Sequence, residues 1–193
     1  MKQFSMALFL ISYLYLCWLW MMYLHESGHV VAALLTGGRI ARVVIDPWRF
    51  SYTELIHNPR PLVVTWAGLV VGSVVPVLVW YFWHWGRLPG EPLIRFFVGF
   101  CLVANGTYWA GGSLVEAGDA ADAVRLGTPR WMCLLTGGVA AVAGLGFWHT
   151  LGPRFCRLTR TATLRMAVVM CLLVGATILG ALLVGGTTLD MGR

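Results

Sequence analysis

The chain has few charged residues. Of its 193 residues, 11% are Asp, Glu, Lys or Arg, whereas 59% are hydrophobic. An ordinary soluble domain is about half apolar and about a quarter charged. This composition argues against a soluble domain and predicts a polytopic membrane protein.

The chain also lacks paired cysteines and linkers of low complexity. Its five cysteines show no CxxC spacing and lie in or beside apolar segments, which predicts packing residues and no disulfide framework. They are Cys17, Cys101, Cys133, Cys156 and Cys171. No composition break divides residues 1–193, so we expect a single domain.

No dense basic run is present, although the net charge is +6. Scattered arginines argue against nucleic-acid binding and favour contact with anionic lipid headgroups. The uncharged run from Phe4 to Leu24 is longer than the roughly 7–15 apolar residues of a signal peptide. It predicts a retained first span, and the bilayer is therefore an expected partner of this chain.

Hydropathy and turn residues predict an all-α polytopic membrane protein with about five transmembrane helices. The spans are expected at about 4–35, 61–83, 93–115, 131–148 and 164–184. After the paired glycines that end the first helix, the segment 39–60 predicts one or two short strands in a hairpin-like arrangement. The apolar positions of this segment are Ile40, Val43, Val44 and Ile45, followed after the turn residues Asp46 and Pro47 by Trp48, Phe50 and Tyr52.

The chemically most informative motif is HExxH, formed by His25, Glu26 and His29 at the end of the first apolar run. On a helix, residues i and i+4 share a face, so the two imidazoles can bind one metal ion with Glu26 beside it. Ionisable groups at membrane depth are expensive unless a metal ion or a polar cavity satisfies them. The alternative is a pair of helix-end histidines that face the headgroups.

A catalytic zinc site uses three protein ligands and leaves one position open, so a third ligand is required. Successive spans alternate in direction, which places the segment 115–127 on the same side as the motif. Asp119 is the leading candidate there, with Asp122 as the alternative and Glu116 in reserve. Asp119 at a helix N-cap and Asp122 in the first turn are also explained by capping alone.

Other polar residues have simpler explanations. His57 is predicted in a loop, either as a contact for substrate or a partner or as an ordinary surface histidine. His84 and His149 are predicted at the membrane interface. Asn105, at mid-span, needs a partner: it either positions the substrate backbone or makes an interhelical hydrogen bond. The spacing of Gly68 and Gly72 predicts close helix packing only.

The motif and its surroundings resemble the site-2 protease family of intramembrane zinc metalloproteases. The resemblance rests on the run from His25 through Gly28, Ala32, Leu34, Gly37, Gly38 and Arg39 to Val43, and on Thr65-Trp66-Ala67-Gly68 in the next span. Family members commonly carry Asn-x-x-Pro leading to Asp-Gly, whereas Asn105 lacks that proline and Asp119 precedes Ala120. The chain is therefore most similar to a compact, divergent branch of the family.

The resemblance implies a zinc endopeptidase that cleaves transmembrane protein substrates. His25, His29 and Asp119 would hold Zn²⁺, and Glu26 would take a proton from the attacking water and later protonate the leaving amine. It also implies an active site on the cytoplasmic side, in the cell membrane if the source is bacterial. The loop charges give no orientation, because Lys and Arg divide equally between the two sides.

Two further hypotheses follow from the residues. The segment between Ile40 and Tyr52 could pair with an unwound substrate as an added strand. As an alternative to the protease, a non-proteolytic zinc-binding regulator or chaperone of membrane proteins is considered; Glu26 argues against it, because a structural metal site needs no base. A transporter is disfavoured because the motif has no second copy.

Overall fold

The computed structural model describes residues 2–186 and shows a helical bundle with a small antiparallel sheet after its first helix. The elements are α1 (Lys2–Leu35), β1 (Arg39–Val44), β2 (Tyr52–His57), α2 (Pro61–Trp85), α3 (Glu91–Val115), α4 (Gly118–Arg125), α5 (Arg130–His149), α6 (Gly152–Arg160) and α7 (Leu164–Gly186). Five of these helices are long and apolar enough to cross a membrane. The predicted fold class is confirmed, and the expected spans match α1, α2, α3, α5 and α7 to within a few residues.

The first helix is longer than one membrane crossing requires. Its 34 residues extend about 51 Å at 1.5 Å per residue, whereas the hydrocarbon core is about 30 Å thick. The helix ends where Gly37 adopts a positive φ of 79° and Gly38 donates a backbone hydrogen bond to Ala33 at 2.7 Å. The HExxH motif thus lies two turns before the end of α1.

The sheet is a two-stranded hairpin in which Val44 pairs with Tyr52 and Val43 with Thr53. The turn prediction for Asp46 is confirmed, because its Oδ1 accepts a hydrogen bond from the backbone N–H of Trp48 at 2.8 Å.

Two details of the predicted hairpin were wrong. Trp48 and Phe50 lie in the connector rather than in a strand, because this connector folds back onto α1. Tyr15 in α1 donates a hydrogen bond to the carbonyl of Pro47 there. His57 is the last residue of β2 rather than a loop residue, because it pairs with Arg39.

Glycines allow the main helices to approach closely. A Cβ atom on Gly106 of α3 would lie 2.5 Å from the carbonyl oxygen of Gly137 in α5. A Cβ atom on Gly137 would likewise lie 2.5 Å from the carbonyl oxygen of Gly106. A Cβ atom on Gly28 of α1 would collide with the carbonyl oxygen of Ala67 in α2. These contacts place α3 beside α5, and α2 beside α1.

The outer surface of the bundle is apolar. Exposed leucines and valines cover α5 and α7, among them Leu135, Val139, Val142, Leu172 and Leu179. Such a surface on two long helices suits contact with lipid rather than water. The structure therefore agrees with a membrane location.

The cysteines follow the prediction with one exception. Cys17, Cys101 and Cys133 are buried and free, and no cysteine of the chain forms a disulfide. Cys156 is exposed on α6 and does not pack in the core. Helix α6 itself was not predicted, because it is short and its arginines interrupt the apolar pattern.

Candidate metal centre

The two histidines of the motif face the same cavity from α1. His25 is 8% and His29 is 7% exposed, and their ring centroids lie 4.9 Å apart. This proximity follows from the i, i+4 spacing on a helix.

In each histidine, Nδ1 lies within hydrogen-bond distance of an oxygen acceptor. His29 Nδ1 lies 2.8 Å from the carbonyl oxygen of Val64, which can only accept, so this nitrogen carries the proton. His25 Nδ1 lies 2.7 Å from Oδ1 of Asn105. The amide of Asn105 donates to the carbonyl oxygens of Cys101 at 2.9 Å and Gly72 at 3.3 Å, which orients Oδ1 as the acceptor. Both histidines therefore present Nε2 to the cavity.

Asp119 completes a three-residue donor set. Its Oδ2 lies 2.8 Å from Nε2 of His25 and 3.3 Å from Nε2 of His29. The three ligand atoms lie within 4.8 Å of one another. Burial raises the pKa of Asp119, but hydrogen bonds with His25 and His29 outweigh it and hold the pKa of this carboxyl below its usual range.

The three side chains are arranged so that they can share a cation. A histidine that is protonated at Nδ1 and otherwise neutral has a lone pair at Nε2, and two such lone pairs here face an ionised carboxylate. These groups repel one another unless a proton or a metal ion lies between them. The residues His25, His29 and Asp119 can therefore hold a metal ion.

The chemistry of the donor set is compatible with zinc. Imidazole and carboxylate are usual zinc ligands, and tetrahedral bonds of about 2.0–2.1 Å put the donor atoms about 3.3 Å apart. The separation between Nε2 of His29 and Oδ2 of Asp119, 3.3 Å, equals that value, whereas the 2.8 Å between Nε2 of His25 and Oδ2 is a hydrogen-bond length. Three protein ligands also leave a fourth position for water or substrate, as in catalytic sites.

The chain reaches this position by a tight reversal after α3. Glu116 and Gly118 adopt positive φ values of 57° and 62°, which turns the backbone toward the motif. The backbone N–H of Asp119 then faces the hydroxyl of Tyr108 at 3.4 Å. The N-cap prediction for Asp119 was wrong: α4 begins at Gly118 with Ala117 as its N-cap, and the carboxylate points at the histidines instead.

The two other carboxylates of this segment are engaged elsewhere. Asp122 accepts a hydrogen bond from Arg125 at 2.9 Å, and Glu116 accepts one from Arg130 at 2.9 Å. Both carboxylates are largely exposed. Neither belongs to the group with His25, His29 and Asp119, although Asp122 lines the edge of the cavity.

Glu26 is buried in the same cavity, at 4% exposure. Its Oε2 accepts a hydrogen bond of 2.7 Å from Oγ1 of Thr53 in β2. The sequence reasoning did not single out Thr53. Alternation along β2 directs Thr53 and Leu55 to the cavity, while Glu54 and Ile56 point outward.

Gly68 and Gly72 lie beside the centre, so their role extends beyond helix packing. A Cβ atom on Gly68 would lie 2.5 Å from Nε2 of His29 and 2.6 Å from Nε2 of His25. A Cβ atom on Gly72 would lie 3.0 Å from Nδ2 of Asn105. The prediction of packing alone was therefore incomplete, because α2 passes directly beneath the ligands.

The cavity around the centre has a volume of about 770 Å³. Its apolar lining includes Trp18, Met21, Met22, Phe50 and Leu55. Phe50 stacks on Tyr108 with ring centroids 5.9 Å apart, beside the metal ligands. A volume of this size accommodates several residues of an extended peptide.

The remaining histidines lie outside this group. His57 is exposed at the end of β2 and does not line the cavity. His84 stacks on Trp80 near the end of α2, and His149 ends α5, both at the end of the bundle opposite the motif.

Comparison with known proteins gave no match to a family model, a curated protein or a solved structure.

Proposed function

We propose that this protein is an intramembrane zinc endopeptidase similar to the site-2 proteases. The observation that carries the proposal is the convergence of His25, His29 and Asp119 beside the buried carboxylate of Glu26. This set lies in a cavity of a bundle whose long helices are apolar enough to cross a membrane. A metal site that is only structural has no use for the adjacent carboxylate.

Zinc bound in this position would act as a Lewis acid and lower the pKa of water. The protein supplies the groups that orient and move protons. Glu26 accepts a proton from the attacking water and delivers it to the leaving amine. Thr53 holds one oxygen of that carboxylate in place through its hydrogen bond of 2.7 Å.

The substrate is a transmembrane segment that is locally unwound. The apolar lining of the cavity matches the side chains of such a segment. The strand that faces the cavity is β2, whereas Ile40 and Val43 of β1 pack in a buried cluster with Ala33 and Ala181. The sequence placed strand addition in the segment 40–52; the cavity-facing position of β2 moves the proposal to the stretch from Tyr52 to Ile56.

Proline substitutions test strand addition, because proline removes a backbone donor. Substitutions along 50–56 that leave zinc content and cleavage unchanged would exclude strand addition. The cytoplasmic placement of the active site, in the cell membrane if the source is bacterial, rests on the family resemblance alone.

The activity is tested by zinc content and by cleavage of a model transmembrane substrate after reconstitution. We expect Glu26→Gln to keep zinc and to lose cleavage by roughly 10²–10⁴-fold, the range for general acid–base catalysis. Asp119→Ala should lose both zinc and cleavage, and Asp122→Ala, one turn along α4, should keep both.

Two outcomes would contradict the proposal. Zinc in the wild type without cleavage of any transmembrane substrate would favour the non-proteolytic regulator or chaperone. Full zinc content and activity in Asp119→Ala would indicate that Asp122 or Glu116 is the third metal ligand.

A further inference from the structure

Helix α6 presents a basic face at the end of the bundle opposite the metal centre. Arg154, Arg157 and Arg160 recur every three residues and are exposed. Phe155 and Thr159 lie on the other face, where Thr159 is buried and Phe155 is partly buried. The helix is thus amphipathic although it has only nine residues.

The apolar face of α6 is fixed to the bundle. The ring of Phe155 stacks on Phe96 of α3 with centroids 4.6 Å apart and lies 6.2 Å from the ring of Tyr13 in α1. Leu158 packs against a buried cluster that contains Phe9 and Ala167. Because this face is anchored to α1, α3 and α7, the arginines must point outward.

Within residues 2–186, the basic face has no acidic partner. Among residues 2–186, none of Arg154, Arg157, Arg160 and the neighbouring Arg165 lies within 4.0 Å of a carboxylate. The carboxylate found at this end of the described chain, Glu91, already accepts a hydrogen bond from Trp80 at 2.9 Å.

The metal-centre end differs in this respect. Three of its arginines form ion pairs there with acidic residues: Arg42 with Glu54, Arg125 with Asp122, and Arg130 with Glu116. Within residues 2–186, four arginines without a carboxylate within 4.0 Å thus lie on or beside α6, whereas the metal-centre end has Arg49 and Arg60 in that state but no such cluster on one helix.

The position of α6 in the bundle indicates what kind of partner its basic face contacts. The helix connects the end of α5 to the start of α7, two helices long and apolar enough to span a membrane, so it lies where a bilayer meets water. Guanidinium groups there meet lipid phosphates, which they bind through paired hydrogen bonds. A short amphipathic helix with basic residues is a common form of such a contact.

We propose that the α6 face formed by Arg154, Arg157 and Arg160 binds the headgroups of anionic phospholipids. This surface is separate from the metal centre, and the proposal does not depend on protease activity. Each arginine near an anionic surface contributes about 1 kcal/mol, which corresponds to about a fivefold change in affinity.

The test uses the full chain purified in neutral detergent and titrated with phosphatidylglycerol or phosphatidylcholine, with bound lipid counted by native mass spectrometry. Arg154→Gln/Arg157→Gln should weaken phosphatidylglycerol binding about fivefold for each arginine removed and leave phosphatidylcholine binding unchanged. The matched control is Arg49→Gln/Arg60→Gln, which removes the same charge from exposed arginines near the metal centre.

A second measurement locates the lipid. Cys156 lies among the arginines and is the exposed cysteine of the chain, so it can carry a fluorophore. Brominated phosphatidylglycerol in reconstituted bilayers should quench this fluorophore more strongly than brominated phosphatidylcholine.

Unchanged phosphatidylglycerol affinity in Arg154→Gln/Arg157→Gln would overturn the proposal and leave an acidic protein segment as the partner of α6. An equal loss in the Arg49→Gln/Arg60→Gln control would overturn it as well, because the effect would then follow net charge rather than this helix. Intrinsic tryptophan fluorescence on heating verifies that both variants fold like the wild type.

Discussion

Asn105 Oδ1 lies 2.7 Å from Nδ1 of His25, so a side chain in the middle of α3 orients a candidate metal ligand on α1. The bond fixes the proton on Nδ1 and leaves Nε2 free to bind the metal ion. Oxygen acceptors behind ligating histidines commonly tune metal affinity in this way. Asn105 therefore makes the interhelical hydrogen bond, one of its two predicted roles. Substrate positioning, the other role, stays a prediction for this residue, which also lines the cavity.

Asn105→Leu should weaken zinc binding by about 10–100-fold, the range found when such supporting partners are removed. Leucine fills the space of the asparagine side chain but cannot accept the hydrogen bond from Nδ1 of His25. The imidazole then loses its orientation. Competition with a chromogenic chelator measures the affinity. Ser113→Ala is the control, because Ser113 is also buried in α3 but donates only to Ala110 of its own helix. Equal affinity in both variants would assign Asn105 a packing role.

Gly68→Ala should abolish zinc binding, because the added methyl group would occupy the space 2.5–2.6 Å from the two Nε2 atoms. Gly111→Ala adds the same methyl group on α3 where no atom lies within 4 Å, and it should keep zinc and activity. Zinc content by mass spectrometry checks both variants. Wild-type zinc content in Gly68→Ala would mean that α2 lies farther from the ligands than the structure shows.

Thr53→Val should lower the rate of cleavage by roughly 10–100-fold while zinc content stays at the wild-type level. The substitution removes the 2.7 Å hydrogen bond to Glu26, and bonds to charged groups contribute about 1.5–3 kcal/mol. Thr53→Ser keeps the hydroxyl and should restore most of the rate. Cleavage at the wild-type rate in Thr53→Val would show that Glu26 does not need this anchor.

Gly118→Ala should reduce both zinc content and cleavage more than Gly127→Ala does. Both glycines have positive φ, at 62° and 100°, so alanine strains the backbone at each position, by about 1 kcal/mol at Gly118 and by no less at Gly127. Only at Gly118 would the methyl group collide with the hydroxyl of Tyr108, next to Asp119. Parallel assays of zinc and cleavage compare the variants. Equal effects would indicate that backbone strain alone is responsible.

Most of the fold could be predicted from hydropathy, because spans need long apolar runs and turns need glycine, proline or polar residues. Helix α6 was missed since it is shorter than a span, although the three-residue spacing of its arginines was a detectable signal. The predicted strand bounds were partly wrong because they depend on hydrogen bonds between residues distant in sequence, such as the bond between Tyr15 and Pro47.

The parts of the site that could be predicted from the sequence are those whose geometry depends on neighbouring residues. His25, Glu26 and His29 belong to one helix, and their shared face follows from helical periodicity. Asp119 could be placed only on the right side of the bundle, because its side chain depends on a reversal after α3. Thr53 carries no distinctive sequence signal beyond alternation within β2, so its contact with Glu26 could not be expected.

The sequence by itself determined the long apolar helices, the hairpin after the first helix and the two histidines on one face, because each depends on interactions between neighbouring residues. Only the tertiary structure decided that Asp119, Asn105, Gly68 and Thr53 meet around that motif. Their contacts with the motif join residues that are 27 to 94 positions apart in the chain, and such contacts depend on how helices pack. Close packing at glycines and satisfaction of buried polar groups are the physical causes that brought them together.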